Sequence, residues 1–168
     1  MRKYISNSPL QTKNLAKKLA KNFNGGEVLG LVGELGSGKT QFVKGLAEYF
    51  QVKQTITSPT FVLFKPYKIK NFEEKVYSKK QDKGRSHKKI KYLVHVDCYR
   101  LRNPQELLAV GLGEYLNNPS CLTVVEWAEK IKDILPVKKT VWIKFKFPSK
   151  TSRPLAENKN QRIITVSD

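Results

Sequence analysis

Eight consecutive residues, Gly33, Glu34, Leu35, Gly36, Ser37, Gly38, Lys39 and Thr40, hold two glycines, a lysine and a threonine at the spacing of a phosphate-binding loop. Glycines let successive backbone N–H groups turn inward as an anion nest, and a helix starting there adds the partial positive charge of its N-terminus. In that pattern Lys39 neutralises the β and γ phosphates of a nucleotide and Thr40 offers its hydroxyl to magnesium. A merely tight strand-to-helix turn needs one or two glycines but explains neither the Lys nor the Thr. Shuffled chains of this composition match the pattern roughly once in a hundred, so the loop is treated as chemistry.

Phosphoryl transfer also needs a carboxylate near the metal, normally from the end of a neighbouring buried strand. Two apolar runs end that way, Tyr92-Leu-Val-His-Val-Asp97 and Cys121-Leu-Thr-Val-Val-Glu126. Asp97 and Glu126 are therefore candidates to bind magnesium, directly or through water, and to orient the attacking water; for either acid alone, a helix cap or solvated turn is the alternative. Thr60, in the polar loop after the phosphate-loop helix, is a candidate γ-phosphate sensor, or simply the start of a strand. His95 faces away from Val94 and Val96 and reads as structural or supporting, not as a catalytic base. Asn158-Lys-Asn-Gln161 lacks the carboxylate of a guanine-reading Asn-Lys-x-Asp, which leaves ATP as the expected nucleotide.

These residues need elements to position them. Ser8-Pro-Leu-Gln11 predicts a helix start, with Leu15, Leu19 and Phe23 on one face and Asn24-Gly-Gly26 as its end. Val28 to Val32 is a short apolar run of the kind buried on both faces of a sheet. Helical spacing of Phe42, Val43, Leu46 and Phe50 then predicts a helix from Thr40. Further strands are expected at 61–64, 92–97, 121–126, 141–147 and 162–166, with a helix start at Asn103-Pro104 and a short helix over 127–134. The order predicts one α/β domain over residues 1–168, a three-layer P-loop fold with a mixed parallel and antiparallel sheet.

Thirty-two Lys and Arg against 14 Asp and Glu give a formal charge of +18 over 168 residues. A polyanionic partner such as RNA accounts for this balance, and so does a compositional bias towards Lys. Residues 68–91 carry ten of the bases and three acids, with little apolar periodicity, and are expected to form a mobile basic insertion or hairpin. No stretch approaches the ~18 apolar residues of a membrane span, so a cytoplasmic location is expected. Cys98 and Cys121 show no disulfide or zinc spacing and read as buried small residues.

Four ordered motifs carry a resemblance. The phosphate loop, then Ser58-Pro-Thr-Phe-Val-Leu63, then His95-Val-Asp-Cys-Tyr-Arg-Leu101, then Val124-Val-Glu-Trp-Ala-Glu-Lys130 resemble the TsaE family, formerly YjeE, of bacterial tRNA threonylcarbamoyladenosine (t6A) biosynthesis. The resemblance implies a magnesium-dependent ATPase that works with TsaD and TsaB on tRNAs reading codons that begin with A. It also implies that Gly36 to Thr40 bind nucleotide, that Thr40 and Glu126 bind magnesium, and that Asp97 is an essential carboxylate. Trp127 and Arg162 are implied to lie near the nucleotide, and turnover is expected to be slow without the partners. Two other readings keep the same loop. A small-molecule kinase would use Asp97 as general base, and an RNA-binding nucleotide switch would use the basic insertion.

Overall fold

Apolar runs of five or six residues are too short for buried helices and become the inner strands of a sheet. The computed structural model describes residues 1–59, 63–69, 90–148 and 160–167. Among these, the strands are β1 (Arg2–Ser6), β2 (Val28–Val32), β3 (Phe64–Lys68), β4 (Tyr92–Asp97), β5 (Cys121–Glu126), β6 (Thr140–Lys146) and β7 (Arg162–Ser167). Helices are α1 (Pro9–Ala20), α2 (Lys39–Tyr49) and the single-turn α3 (Gln105–Ala109). One sheet runs in the order β1-β7-β6-β2-β5-β4-β3. Its four central strands are parallel, and β3 on one side and β7 on the other turn antiparallel. The expected mixed α/β architecture is therefore present.

Alternation along the strands sorts side chains onto two faces. Leu29, Leu31, Leu93, Leu122, Val124, Ile143 and Phe145 pack under α1 and α2, while Val28, Val94, Val96, Cys121 and Val125 pack under α3 and the 3₁₀ turns. Each fully buried Leu or Ile contributes about 1.5–3 kcal/mol relative to exposure. The same alternation puts His95, Asp97 and Glu126 on the α1/α2 face, because they continue the rows of Leu93 and of Leu122 and Val124. Gly45 lets the two helices touch, since a Cβ there would lie 2.4 Å from the Lys13 carbonyl oxygen.

Helix starts follow the sequence signals. Ser8 accepts a hydrogen bond from Gln11 N at 3.2 Å with Pro9 at the first position, while Asn103 N donates to Glu106 Oε1 at 3.1 Å and Gln105 N donates to Asn103 Oδ1 at 3.0 Å. Three expectations need correction. The N-terminal residues form β1, paired with β7, where no strand was expected. Of the strand expected at 61–64, residues 61 and 62 lie outside the described residues, and β3 runs on from Phe64 to Lys68, through Pro66, which an edge strand tolerates. The helix expected over 127–134 is a 3₁₀ segment, Ala128–Ile134, broken at Ile131. At the ends of the basic segment expected over 68–91, Lys68 belongs to β3, Ile69 and Ile90 are buried, and Ile69 N donates to Lys91 O at 2.9 Å. Residues 70–89 lie outside the described residues.

Candidate functional site

A central strand, a glycine loop and a helix N-terminus meet where β2 leads into α2. Gly36 and Gly38 take left-handed backbone angles (φ 72° and 102°), and a Cβ at Gly36 would meet nothing within 4 Å. That open side faces a cavity of about 520 Å³ lined by Leu35 to Gln41, with Asp97, Glu126, Trp127 and Arg162 around it. Gly33 and Glu34 contribute backbone carbonyls, which accept from Lys39 Nζ at 2.6 and 3.0 Å. The buried Ser37 hydroxyl has no hydrogen-bond partner among the described residues. A positive-φ nest, an open side and an unmatched buried hydroxyl suit a polyphosphate.

Charge in the cavity is arranged around the helix start. Thr40 Oγ1 donates to Glu126 Oε2 at 2.9 Å, joining the loop to the end of β5. The other oxygen of Glu126 lies 2.9 Å from His95 Nε2, and both side chains are buried. Asp97 pairs in register with Glu126 across β4 and β5, and its carboxylate accepts from Tyr99 N at 3.0 Å and from the Ser58 hydroxyl. Burial lowers the Lys39 pKa below its ordinary value, an effect partly offset by Glu126, Glu129 and Asp97. Among the described residues no group of three His, Cys, Asp or Glu could hold a metal. The Thr40 hydroxyl and one or two carboxylates suit magnesium, which at nucleotide sites takes part of its shell from phosphate and water.

Trp127 adopts left-handed angles (φ 59°, ψ 40°), which costs a non-glycine residue about 1–2 kcal/mol. The turn sets its ring 3.7 Å from Lys39 Nζ and 5.2 Å, centroid to centroid, from the Tyr99 ring. Arg162, the first residue of β7, donates to Gly36 O at 3.2 Å and stacks on Phe147 at 4.2 Å. Of the sequence-selected site residues, Leu35 to Thr40, Asp97, Glu126, Trp127 and Arg162 line this cavity, Gly33 and Glu34 meet it through Lys39, and Thr60 lies outside the described residues.

Sequence reasoning missed others. Ser58 and Tyr99 hold Asp97, and Ser8, Pro9, Thr12 and Arg100 line the cavity. Ser58, Tyr99 and Arg100 stood inside the quoted motifs without a role, whereas the α1 residues carried only a helix-capping signal.

Residues 6–155 match the family model described as "Threonylcarbamoyl adenosine biosynthesis protein TsaE". The chain belongs to the TsaE family. A tRNA threonylcarbamoyladenosine biosynthesis protein TsaE from Rickettsia bellii is 37% identical over 133 residues, covering 79% of this chain and 78% of that protein. The protein of the same name from Bacillus subtilis is 35% identical over 134 residues, covering 80% and 71%. The crystal structure of Bacillus subtilis YdiB has a TM-score of 0.67 and 28% identity, with 98% of this chain and 83% of that chain covered. The TsaE match ends before Arg162, which reaches the loop through β7.

Proposed function

We propose that this TsaE-family chain is the magnesium-dependent ATPase subunit of a t6A-forming assembly, acting with TsaD and TsaB on tRNAs that read codons beginning with A. The observation that carries the reading is the hydrogen bond from Thr40 Oγ1 to Glu126 Oε2, which couples the phosphate loop to a buried strand-end carboxylate inside one cavity. The N–H groups of Gly36 to Thr40 bind phosphate, and Lys39 exchanges its loop carbonyls for phosphate oxygens. Thr40 and Glu126 would hold magnesium, with Asp97, paired in register with Glu126, beside them. Magnesium bound there would supply charge neutralisation to the phosphates.

Asp97, fixed by Ser58 and the Tyr99 N–H, orients water, and Arg162 closes the loop side of the site. Thr60 is the expected γ-phosphate sensor. Hydrolysis then resets the partner assembly; the tRNA is modified elsewhere. The test is ATP hydrolysis by the purified protein with and without magnesium, alone and with TsaD and TsaB, in the presence and absence of tRNA. Magnesium-dependent turnover that the partners raise supports the reading. A full rate that ignores the partners, or turnover that follows an added metabolite, removes it.

A further inference from the structure

Glu126 has two oxygens with different neighbours. Oε2 accepts from the Thr40 hydroxyl, and Oε1 lies 2.9 Å from His95 Nε2 on the adjacent strand. His95 is completely buried, and its second ring nitrogen, Nδ1, is buried with no hydrogen-bond partner among the described residues. An imidazole with one proton carries it on one nitrogen only. A proton on Nδ1 would leave an N–H orphaned in the core and would turn the bare Nε2 lone pair on the carboxylate oxygen. Orphaned buried N–H groups are rarer than under-satisfied acceptors. The geometry therefore points to one tautomer, with the proton on Nε2.

We propose that His95 is a positioning residue for magnesium binding: its Nε2–H fixes Glu126 Oε1 so that Oε2 stays turned towards Thr40. The register makes the contact possible. His95 sits two residues before Asp97, which pairs with Glu126, and the two side chains share the α1/α2 face of the sheet. A carboxylate held at one oxygen loses the freedom to rotate both away from the helix start, and supporting hydrogen bonds of this kind orient metal ligands elsewhere. His95 does not itself line the cavity and reaches it only through Glu126. The assignment rests on the reading of Glu126 as a magnesium-side carboxylate.

Two measurements on the full chain test it. The chain has two histidines, His87 and His95, so ¹⁵N-histidine spectra of the nucleotide-free protein separate the ring nitrogens directly. The expected result for His95 is a protonated Nε2 and a bare Nδ1; a protonated Nδ1 with bare Nε2 overturns the proposal. The second measurement is ADP affinity by calorimetry with and without magnesium, for the parent, His95→Gln and His95→Asn. Glutamine carries an N–H at the height of Nε2, whereas asparagine carries its amide at the height of Nδ1.

The factor by which magnesium tightens ADP binding is expected to fall about 10- to 100-fold in His95→Asn and to be largely retained in His95→Gln. Affinity for ADP without magnesium should be the same in all three. Equal magnesium factors in Asn and Gln variants, or loss of metal-free ADP binding in step with them, overturn the positioning role. A parent protein that binds no nucleotide overturns the ATPase reading and, with it, the magnesium role; the tautomer is then decided by the spectrum alone.

Discussion

Thr40 and Glu126 stand 86 residues apart in the chain and are joined by a hydrogen bond of 2.9 Å. The bond ties the first turn of α2 to the end of β5, so a change at either end disturbs the other. It also fixes which carboxylate of the pair at the strand ends faces the helix start.

Removing the acids separates chemistry from folding. Asp97→Ala and Glu126→Ala are expected to lower magnesium-dependent hydrolysis by at least about 100-fold, on the scale of losing a charge-positioning group. Their folding free energies should fall by only about 1–3 kcal/mol, the cost of leaving buried donors such as the His95 ring N–H unmatched. Urea denaturation beside a turnover assay checks both, and undiminished hydrolysis in either variant removes that acid from the mechanism.

Lys39→Ala should abolish productive nucleotide binding while leaving the fold intact. In the free protein its ammonium is held by two loop carbonyls and the Trp127 ring, in surroundings whose burial lowers its pKa. Truncation thus relieves a desolvated charge as well as losing contacts. Calorimetry with ATP and magnesium checks the binding, and an affinity equal to the parent's would contradict the prediction.

Gly45→Ala tests how α2 is seated. The added methyl would lie 2.4 Å from Lys13 O and 2.8 Å from the Ala16 side chain, so the helices must part. Overpacking of this kind costs typically about 1–3 kcal/mol. A lowered melting temperature together with weaker ATP binding is the expected pair of results, because the moved helix carries Lys39 and Thr40 at its start.

The cysteines give a pH prediction. Burial, with Asp97 adding to it, pushes the Cys98 thiol up to about 12, and burial also raises Cys121. Both thiols should resist a disulfide reagent at pH 8 in the native protein and react once urea is added. Above the ordinary thiol value of 9.0 the unfolded chain loses the Cys98 proton and the folded chain keeps it. Its contribution to stability is therefore present below about pH 9 and declines as pH rises towards 12. A Cys98→Ala variant compared with the parent across that range isolates the effect.

The phosphate loop and its two acids were legible in the sequence because each signal is local: a run of apolar residues, then a glycine loop or a carboxylate. What stayed hidden depends on register. That His95 meets Glu126, and that Ser58 meets Asp97, follows from how distant segments align. Strand β1 was invisible because Arg2–Ser6 has one fully buried residue, Ser6, and takes its shape from pairing with β7. β3 was misplaced because Pro66 reads as a strand end, although among the described residues β3 has a neighbour on one side alone.

The position of β2 sets a schedule for synthesis. Its neighbours β5 and β6 both come later in the chain, and β6 ends at Lys146. Domains fold largely in the order in which they leave the ribosome, and parallel pairings between distant segments close slowly. A nascent chain carrying the whole phosphate loop therefore still lacks the two strands that flank it. Competence to bind nucleotide should arrive late and abruptly, as the chain grows past residue 146.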